Sequence, residues 1–318
     1  MDLFYFGDGV WAANSLQQLL EDGHHVLGVV IRTQPTDQSL QQLCRQRGLR
    51  VHQPLRVNDT SFVEVVRRAQ PVLNVSMSYN QIIREPLLRL APRGFINAHA
   101  GKLPKYRGRN VINWALINNE PELGLTVHYM NEGIDTGDII LQQMIPIAWE
   151  DTYGSMLAKA QDRFPALLSE AVRLIERDEA HRIPQPENAG TYCPARIEED
   201  EWINWSETSL HLYNLIRAIT HPGPGARTRL VEQAVIIWKA RYDPRWPGYR
   251  ADAGVVVEAL PHGGVRVKTG DSTLICELVQ AEGEPPAMPR YPVGTRFTSV
   301  VAHRQVGGVL QPAAGWLR

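Results

Sequence analysis

Cysteine is scarce in this chain. Its 318 residues hold three, Cys44, Cys193 and Cys276, too few and too far apart for a disulfide framework or a C-x-x-C metal knuckle. Each is read as a reduced packing residue. Long apolar runs are missing too, since nothing approaches the roughly 18 consecutive apolar residues of a membrane span. No basic segment precedes the first apolar run, MDLFYFGDGVWAAN, so it reads as a buried first strand rather than a signal peptide, and a cytoplasmic address is the expectation. Charge of one sign is not in surplus: 33 Lys and Arg stand against 34 Asp and Glu, which leaves no global field to select a polyanionic partner. Neither H-x-x-x-H, nor H-E-x-x-H, nor a Cys/His cluster with metal spacing occurs, so no metal is expected. The G-x-S-x-G elbow and the P-loop are absent, which removes the commonest routes to serine hydrolysis and phosphoryl transfer.

What remains is a globular balance, 43% apolar and 21% charged residues, over a length that suits two domains. The first part alternates short apolar runs with amphipathic stretches: DLFYF, VWAANSLQQLLEDG, HHVLGVVI, SLQQLCRQRG, LRVHQP, TSFVEVVRRAQ, PVLNVSMS. That alternation describes βαβ units on a mostly parallel sheet. GFINAH continues as a strand and RNVINWALINNE as a helix. LGLTVHYM and GDIILQQMIPI read as two later strands joined by the turn NEGIDT. A long amphipathic helix over TYGSMLAKAQDRFPALLSEAVRLIERD closes this domain. PQPENAGTYCPARIEEDEWINW, rich in Pro and charge, reads as a linker. Beyond a short helix and the breaker HPGPGAR come evenly spaced short strands, the pattern of a small β-barrel. The expected domains are 1–190, a linker at 191–205, and 206–318. The fold class is α/β: a Rossmann-like N-terminal domain followed by a smaller OB-like β-barrel.

Gly7, Gly9 and Ala12 fit the G-x-G-x-x-A form of a dinucleotide fingerprint, but the acidic residue expected about 20 positions later is replaced by IRTQPT. The glycines then mark a tight βα turn. Asn97 and His99 are the stronger pair. They lie two apart at the carboxyl end of a strand, so both point into one cleft, where open α/β sheets bind ligands. Asp135, in the turn between the two later strands, is placed to reach the imidazole across the sheet edge. A His steered by a carboxylate, with an Asn amide beside it, can stabilise a developing oxyanion, which suits acyl transfer without a covalent nucleophile. His128, alternating with Thr126 and Met130 on a strand, reads as a structural residue.

Residues 97–140, NAHAGKLPKYRGRNVINWALINNEPELGLTVHYMNEGIDTGDII, resemble the core signature of the 10-formyltetrahydrofolate-dependent formyltransferases, N-x-H-x-x-x-L-P-x-x-R-G followed by a Trp-containing helix and G-[IL]-D-x-G-D-I. TYCPARIEEDEWINW and IRAITHPGPGA resemble the junction with the OB-like domain in the methionyl-tRNA and lipid A aminoarabinose branches. The resemblance implies catalytic roles for Asn97, His99 and Asp135, and N10-formyltetrahydrofolate as cosubstrate. It implies that the pterin rests on two loops, represented here by Gln81, Ile82 and Ile83 and by Asn131, Glu132 and Ile134.

The hydrolase branch of that family lacks the Asn two positions before the His, so Asn97 favours transfer over hydrolysis of the folate. The methionyl-tRNA branch carries a basic insertion after the second strand, where this chain has IRTQPTDQSLQQ with one cation. LPKYRGRNVINWAL is closer to the enzymes that formylate nucleotide-linked amino sugars than to LPRWRGAAPI of the tRNA branch. The expected acceptor is therefore the amine of a nucleotide-linked amino sugar. Charged initiator tRNA and a hydroxyornithine-type amine are the alternatives. Lys105, Arg107 and Arg109 are candidates for its pyrophosphate, with bracing of the loop as the other role for Arg107. Trp11 either lines the acceptor cleft or packs. Arg227, Arg229, Lys239 and Arg241 of the barrel read as a solvated face, no nucleic acid or membrane partner is expected, and a homodimer is the oligomer the barrel face would suit.

Overall fold

The computed structural model describes residues 1–299, apart from the Glu187 side chain, so residues 300–318 of the expected second domain lie outside the described residues. The chain divides into two compact units, Met1–Arg196 with Arg217–Gly223, and Ile197–Ile216 with Pro224 onward.

The first unit is built on seven strands: β1 (Asp2–Gly7), β2 (His25–Ile31), β3 (Val51–His52), β4 (Leu73–Met77), β5 (Phe95–His99), and, beyond a short strand β6 (Arg107–Gly108) that lies outside this sheet, β7 (Glu122–Tyr129) and β8 (Ile139–Pro146). Their order is β3-β2-β1-β4-β5-β7-β8. The first five pair in parallel, β7 runs antiparallel to β5, and β8 runs antiparallel to β7. Helices α1 (Gly9–Glu21), α2 (Ser39–Arg47) and α3 (Thr60–Ala69) form the crossovers between the parallel strands, α4 (Val111–Ile117) precedes β7, and α5 (Tyr153–Glu176) follows β8. Central strands of such a sheet are covered on both faces and read as apolar runs. Phe4 and Phe6 of β1 and Phe95 of β5 pack on Phe62, Val63 and Val66 of α3 and on Ile83, Leu87 and Leu88.

Helix α5 shows why its sequence folds as it does. Thr152 accepts from the Ser155 backbone N–H and Ser155 reciprocates, a capping box. Met156, Ala160, Phe164, Leu168, Val172 and Ile175 recur at helical spacing and are buried. No helix among the described residues is long and apolar enough to cross a membrane.

The expected linker is not structureless. Its strand β9 (Tyr192–Cys193) pairs in parallel with β6, so the chain after α5 returns to the basic turn.

The second unit holds helix α6 (Ser209–Ile219), whose last turn falls in the first unit. Among the described residues its six strands are β10 (Ala226–Leu230), β11 (Gln233–Arg241), β12 (Val256–Ala259), β13 (Val265–Lys268), β14 (Thr273–Ala281) and β15 (Phe297–Thr298), all antiparallel, in the order β12-β13-β14-β11-β10-β15. The sheet curls until its edges meet: Val256 donates to Thr295 O and Phe297 to Gly254 O. Trp205 is buried on Phe297, its indole N–H donating 2.9 Å to Thr228 Oγ1.

Candidate active site

Strand register assembles the site. Asn97 of β5 lies opposite His128 of β7, and His99 opposite Thr126. Paired residues share a face, so four polar side chains meet at one place on the sheet, with the buried Ser76 of β4 opposite Asn97. His99, His128 and Thr126 are buried and Asn97 is half-buried.

Asp135 arrives by a route different from the expected one. The chain leaving β7 does not bridge a sheet edge but folds back over the face that carries Asn97 and His99. There Asp135 adopts φ +52°, in the left-handed region. Its Oδ2 stands 3.6 Å from His99 Nδ1 and accepts a 2.8 Å bond from the Gly108 N–H, while Oδ1 stands 3.5 Å from His128 Nε2. Burial alone would raise the carboxyl's pKa. The facing His99 and His128 and the Gly108 N–H outweigh it and hold Asp135 well below the usual carboxylate range. Asp135 is therefore a buried anion shared by two imidazoles.

Backbone carbonyls, which can only accept, fix part of each ring's protonation. His99 Nε2 is 2.7 Å from Tyr106 O, so it carries hydrogen and Nδ1 faces the carboxylate. His128 Nδ1 is 2.7 Å from Tyr129 O, so it too carries hydrogen. His128 Nε2 then lies between Asp135 and the Asn97 amide, 3.4 Å from Asn97 Nδ2. Protonated, that nitrogen donates to Asp135; unprotonated, it accepts from Asn97. His128, which reads from sequence as structural, is thus part of the cluster. Its signal in the sequence is parity, since Thr126 and His128 alternate as Asn97 and His99 do.

The basic turn holds the imidazole in place. Tyr106, at φ +59°, offers its carbonyl to His99, and its phenol donates 2.7 Å to Glu120. Gly101 lies against the His99 ring, where a Cβ would run into both that ring and the Tyr106 carbonyl. Thr126 Oγ1 donates 2.6 Å to Gly101 O, tying the turn to the sheet.

The expected binding residues are more dispersed. Arg107 is buried, its guanidinium bonded to Gln185 Oε1 at 3.2 and 2.7 Å and lying 5.6 Å from the centre of the Tyr192 ring. Its nearest acceptor is the Gln185 amide oxygen. Lys105 and Arg109 are exposed, and Arg109 reaches Asn80 O at 3.4 Å. Trp11 is half-buried on Phe164, with ring centres 5.9 Å apart. The Gln81 side chain accepts from Val57 N at 2.8 Å. Ile82 is 36% exposed, whereas Ile83 lies in the core. Asn131 Oδ1 closes its own turn through Gly133 N and Thr136 Oγ1, while Glu132 is exposed and Ile134 half-buried beside Asp135. At the N-terminus of α1, where a nucleotide phosphate would sit in a dinucleotide fold, the Asp37 carboxylate already accepts from Val10 N at 3.1 Å. Among the described residues no group of three His, Cys, Asp or Glu is arranged to hold a metal ion.

Comparison with known proteins decides the family. The formyl transferase model matches residues 3–172, and the model of the formyl transferase C-terminal domain matches residues 197–290. The chain belongs to the formyltransferase family. The methionyl-tRNA formyltransferase of Desulforamulus reducens is 33% identical over 293 residues, 89% of this chain and 91% of the relative. That of Pelotomaculum thermopropionicum is 36% identical over 250 residues, 76% of this chain and 79% of the relative. Among solved structures, the sugar 3N-formyl transferase WlaRD, crystallised with dTDP and 5-N-formyl-THF, superposes with a TM-score of 0.69 at 21% identity, covering 90% of this chain and 99% of its own. The N-formyltransferase of Helicobacter canadensis, complexed with folinic acid and dTDP-3-aminofucose, gives 0.70 at 22% identity, covering 86% and 98%. Both structural likenesses establish the fold: a Rossmann-like domain and a curled antiparallel domain. This formyltransferase moves a formyl group, and formyl-tetrahydrofolate is the family's donor.

Proposed function

We propose that this formyltransferase transfers the formyl group of N10-formyltetrahydrofolate to the amine of a nucleotide-linked amino sugar. The observation that carries the choice of acceptor is the segment 32–38, between β2 and α2. It is short, and two carboxylates, Asp8 of the preceding βα turn and its own Asp37, tie it down. Arg32, its one cation, lies 2.9 Å from Asp8. Thr36 donates to Asp8 from both its backbone N–H and its hydroxyl, and Asp37 holds the start of α1 and Ser39 N. A loop whose only positive charge is neutralised in place has nothing to grip the phosphates of a tRNA acceptor stem. The barrel cations support the same reading: Arg227 pairs with Glu201 at 2.8 Å, Lys239 and Arg241 pair with Glu277 at 3.1 and 2.8 Å, and Arg229 lies over Trp202.

In the proposed chemistry the unprotonated acceptor amine attacks the formyl carbon. A bond from that carbon to the amine forms, its bond to N10 breaks, and the amine's proton ends on N10. The side chains contribute in three ways. Asn97 Nδ2 and His99 Nε2–H are the donors available to the developing oxyanion, His99 by exchanging Tyr106 O for the substrate oxygen. Asp135, anionic and anchored by Gly108 N–H, keeps Nδ1 of His99 directed at itself, and its negative charge stabilises the positive charge that develops on the amine before its proton passes to N10. Gly101 leaves no room for the imidazole to retreat. No covalent acyl-enzyme is required.

A second reading, charged initiator tRNA as acceptor, is favoured by the names of the two sequence relatives above. Ligand-dependent unfolding separates the two. With folinic acid present, dTDP or UDP at millimolar concentration is expected to raise the unfolding midpoint, while initiator tRNA leaves it in place at 0.15 M salt. A midpoint raised by tRNA and unmoved by either nucleotide would reverse the choice.

A further inference from the structure

We infer that Gln185 is a positioning residue for the His99–Asp135 pair, acting from the segment that reads in the sequence as linker. Its amide grips the Asp135 turn from behind: Nε2 donates 2.9 Å to Asp135 O and 2.7 Å to Gly137 O. Its Oε1 accepts from Arg107 Nε and Nη2 at 3.2 and 2.7 Å. The next residue, Gly108, sends its N–H to Asp135 Oδ2 at 2.8 Å. The bonds therefore close a ring, from the backbone of Asp135 through Gln185 and Arg107 to Gly108 and back to the Asp135 carboxylate. One side chain holds the peptide of Asp135, and the neighbour of the arginine it orients holds the carboxylate.

The rest of the segment secures that ring. Thr191 accepts from Tyr106 N through Oγ1 at 3.0 Å and from Arg107 N through its carbonyl at 2.9 Å, and Cys193 O accepts from Arg109 N at 3.0 Å. Gly190 lies so close to the Arg107 guanidinium that a Cβ there would collide with it. Tyr106, held by Thr191, is the residue whose carbonyl receives His99 Nε2–H. Both halves of the pair are thus fixed from residues 185–193. An Asp at φ +52° is a conformation that surrounding structure must impose, and Gln185 supplies two of the bonds that impose it.

Two variants divide the amide's functions. Gln185→Glu keeps an acceptor for Arg107 but cannot donate to the two carbonyls, and Gln185→Ala loses both. The inference rests on formyl transfer and not on the identity of the acceptor. Turnover is therefore measured with a dTDP-linked 3-amino sugar or with charged initiator tRNA, whichever is formylated. Both variants are expected to lose kcat by about 10- to 100-fold with KM for donor and acceptor changed less than about threefold, the signature of a displaced reacting group. In an Asp135→Asn background the same changes should cost less than about twofold, because residues acting through one another are not additive. Nitrogen-15 spectra of the histidines in the free protein should show the His99 ring signals of both variants moving toward those of Asp135→Asn. Gln185→Glu with native kcat, a full additional loss on top of Asp135→Asn, or unmoved His99 signals would each overturn the assignment and leave Gln185 as a brace for Arg107 alone.

Discussion

In the proposed chemistry, removing the His99 imidazole takes away one oxyanion donor and the partner of the Asp135 carboxylate at once. His99→Ala is expected to lower kcat by at least about 10³-fold, and Asn97→Ala by about 10²- to 10³-fold, the range found when a single oxyanion donor is removed. Both should unfold cooperatively, and near-native turnover in either would remove that residue from the chemistry. Asp135→Asn keeps the shape and deletes the charge, and a loss of about 10³-fold or more in kcat is expected. The same variant tests the depressed pKa through stability. Because the folded carboxyl titrates below its unfolded value near 3.9, its contribution is fully present above that pH and is lost as pH falls through the folded value. Chemical denaturation from pH 7 down to pH 3 should therefore show wild type losing its advantage over Asp135→Asn only below about pH 4. A gap that closes between pH 5 and 7 would contradict the depressed carboxyl.

The strands that carry Asn97, His99, Thr126 and His128 were legible because period two and register are written in the residues themselves. GFINAH ends an apolar run in alternating polar positions, and LTVHY answers with the same alternation. The βα alternation, the long helix α5 and the evenly spaced late strands could be read for the same reason. The fold-back of the turn that brings Asp135 over the sheet face was not legible, since it depends on a positive φ at an Asp and on bonds to Gly108 and Gln185, far apart in sequence. The pairing of β6 with β9 was hidden too, because two-residue strands in a Pro-rich stretch have no periodicity to detect. The basic turn offers a direct check. Gly101→Ala forces a methyl group against the His99 ring and the Tyr106 carbonyl, and is expected to destabilise the protein by about 1–3 kcal/mol, with a loss of kcat beyond that of the destabilised fraction. An unchanged unfolding midpoint and turnover would show that the turn yields easily and that His99 is not clamped by it.

At the scale of the whole molecule, sequence relatedness and local structure point to different acceptors on one fold. Identity of 33% to a methionyl-tRNA formyltransferase over 293 residues extends into both units, while Arg32 of the segment 32–38 and Arg227, Lys239 and Arg241 of the barrel each lie against a carboxylate. Formylation at one catalytic cluster is common to both readings, so the acceptor must be decided by turnover. Purified protein with 10-formyltetrahydrofolate, followed for tetrahydrofolate release, should be tested against nucleotide-linked 3- and 4-amino sugars, charged initiator tRNA and a control without acceptor. Release that requires an amino sugar is the expected result. Release driven by charged tRNA would contradict it and make the compact loop no barrier to an acceptor stem, and equal release without any acceptor would show that water takes the formyl group.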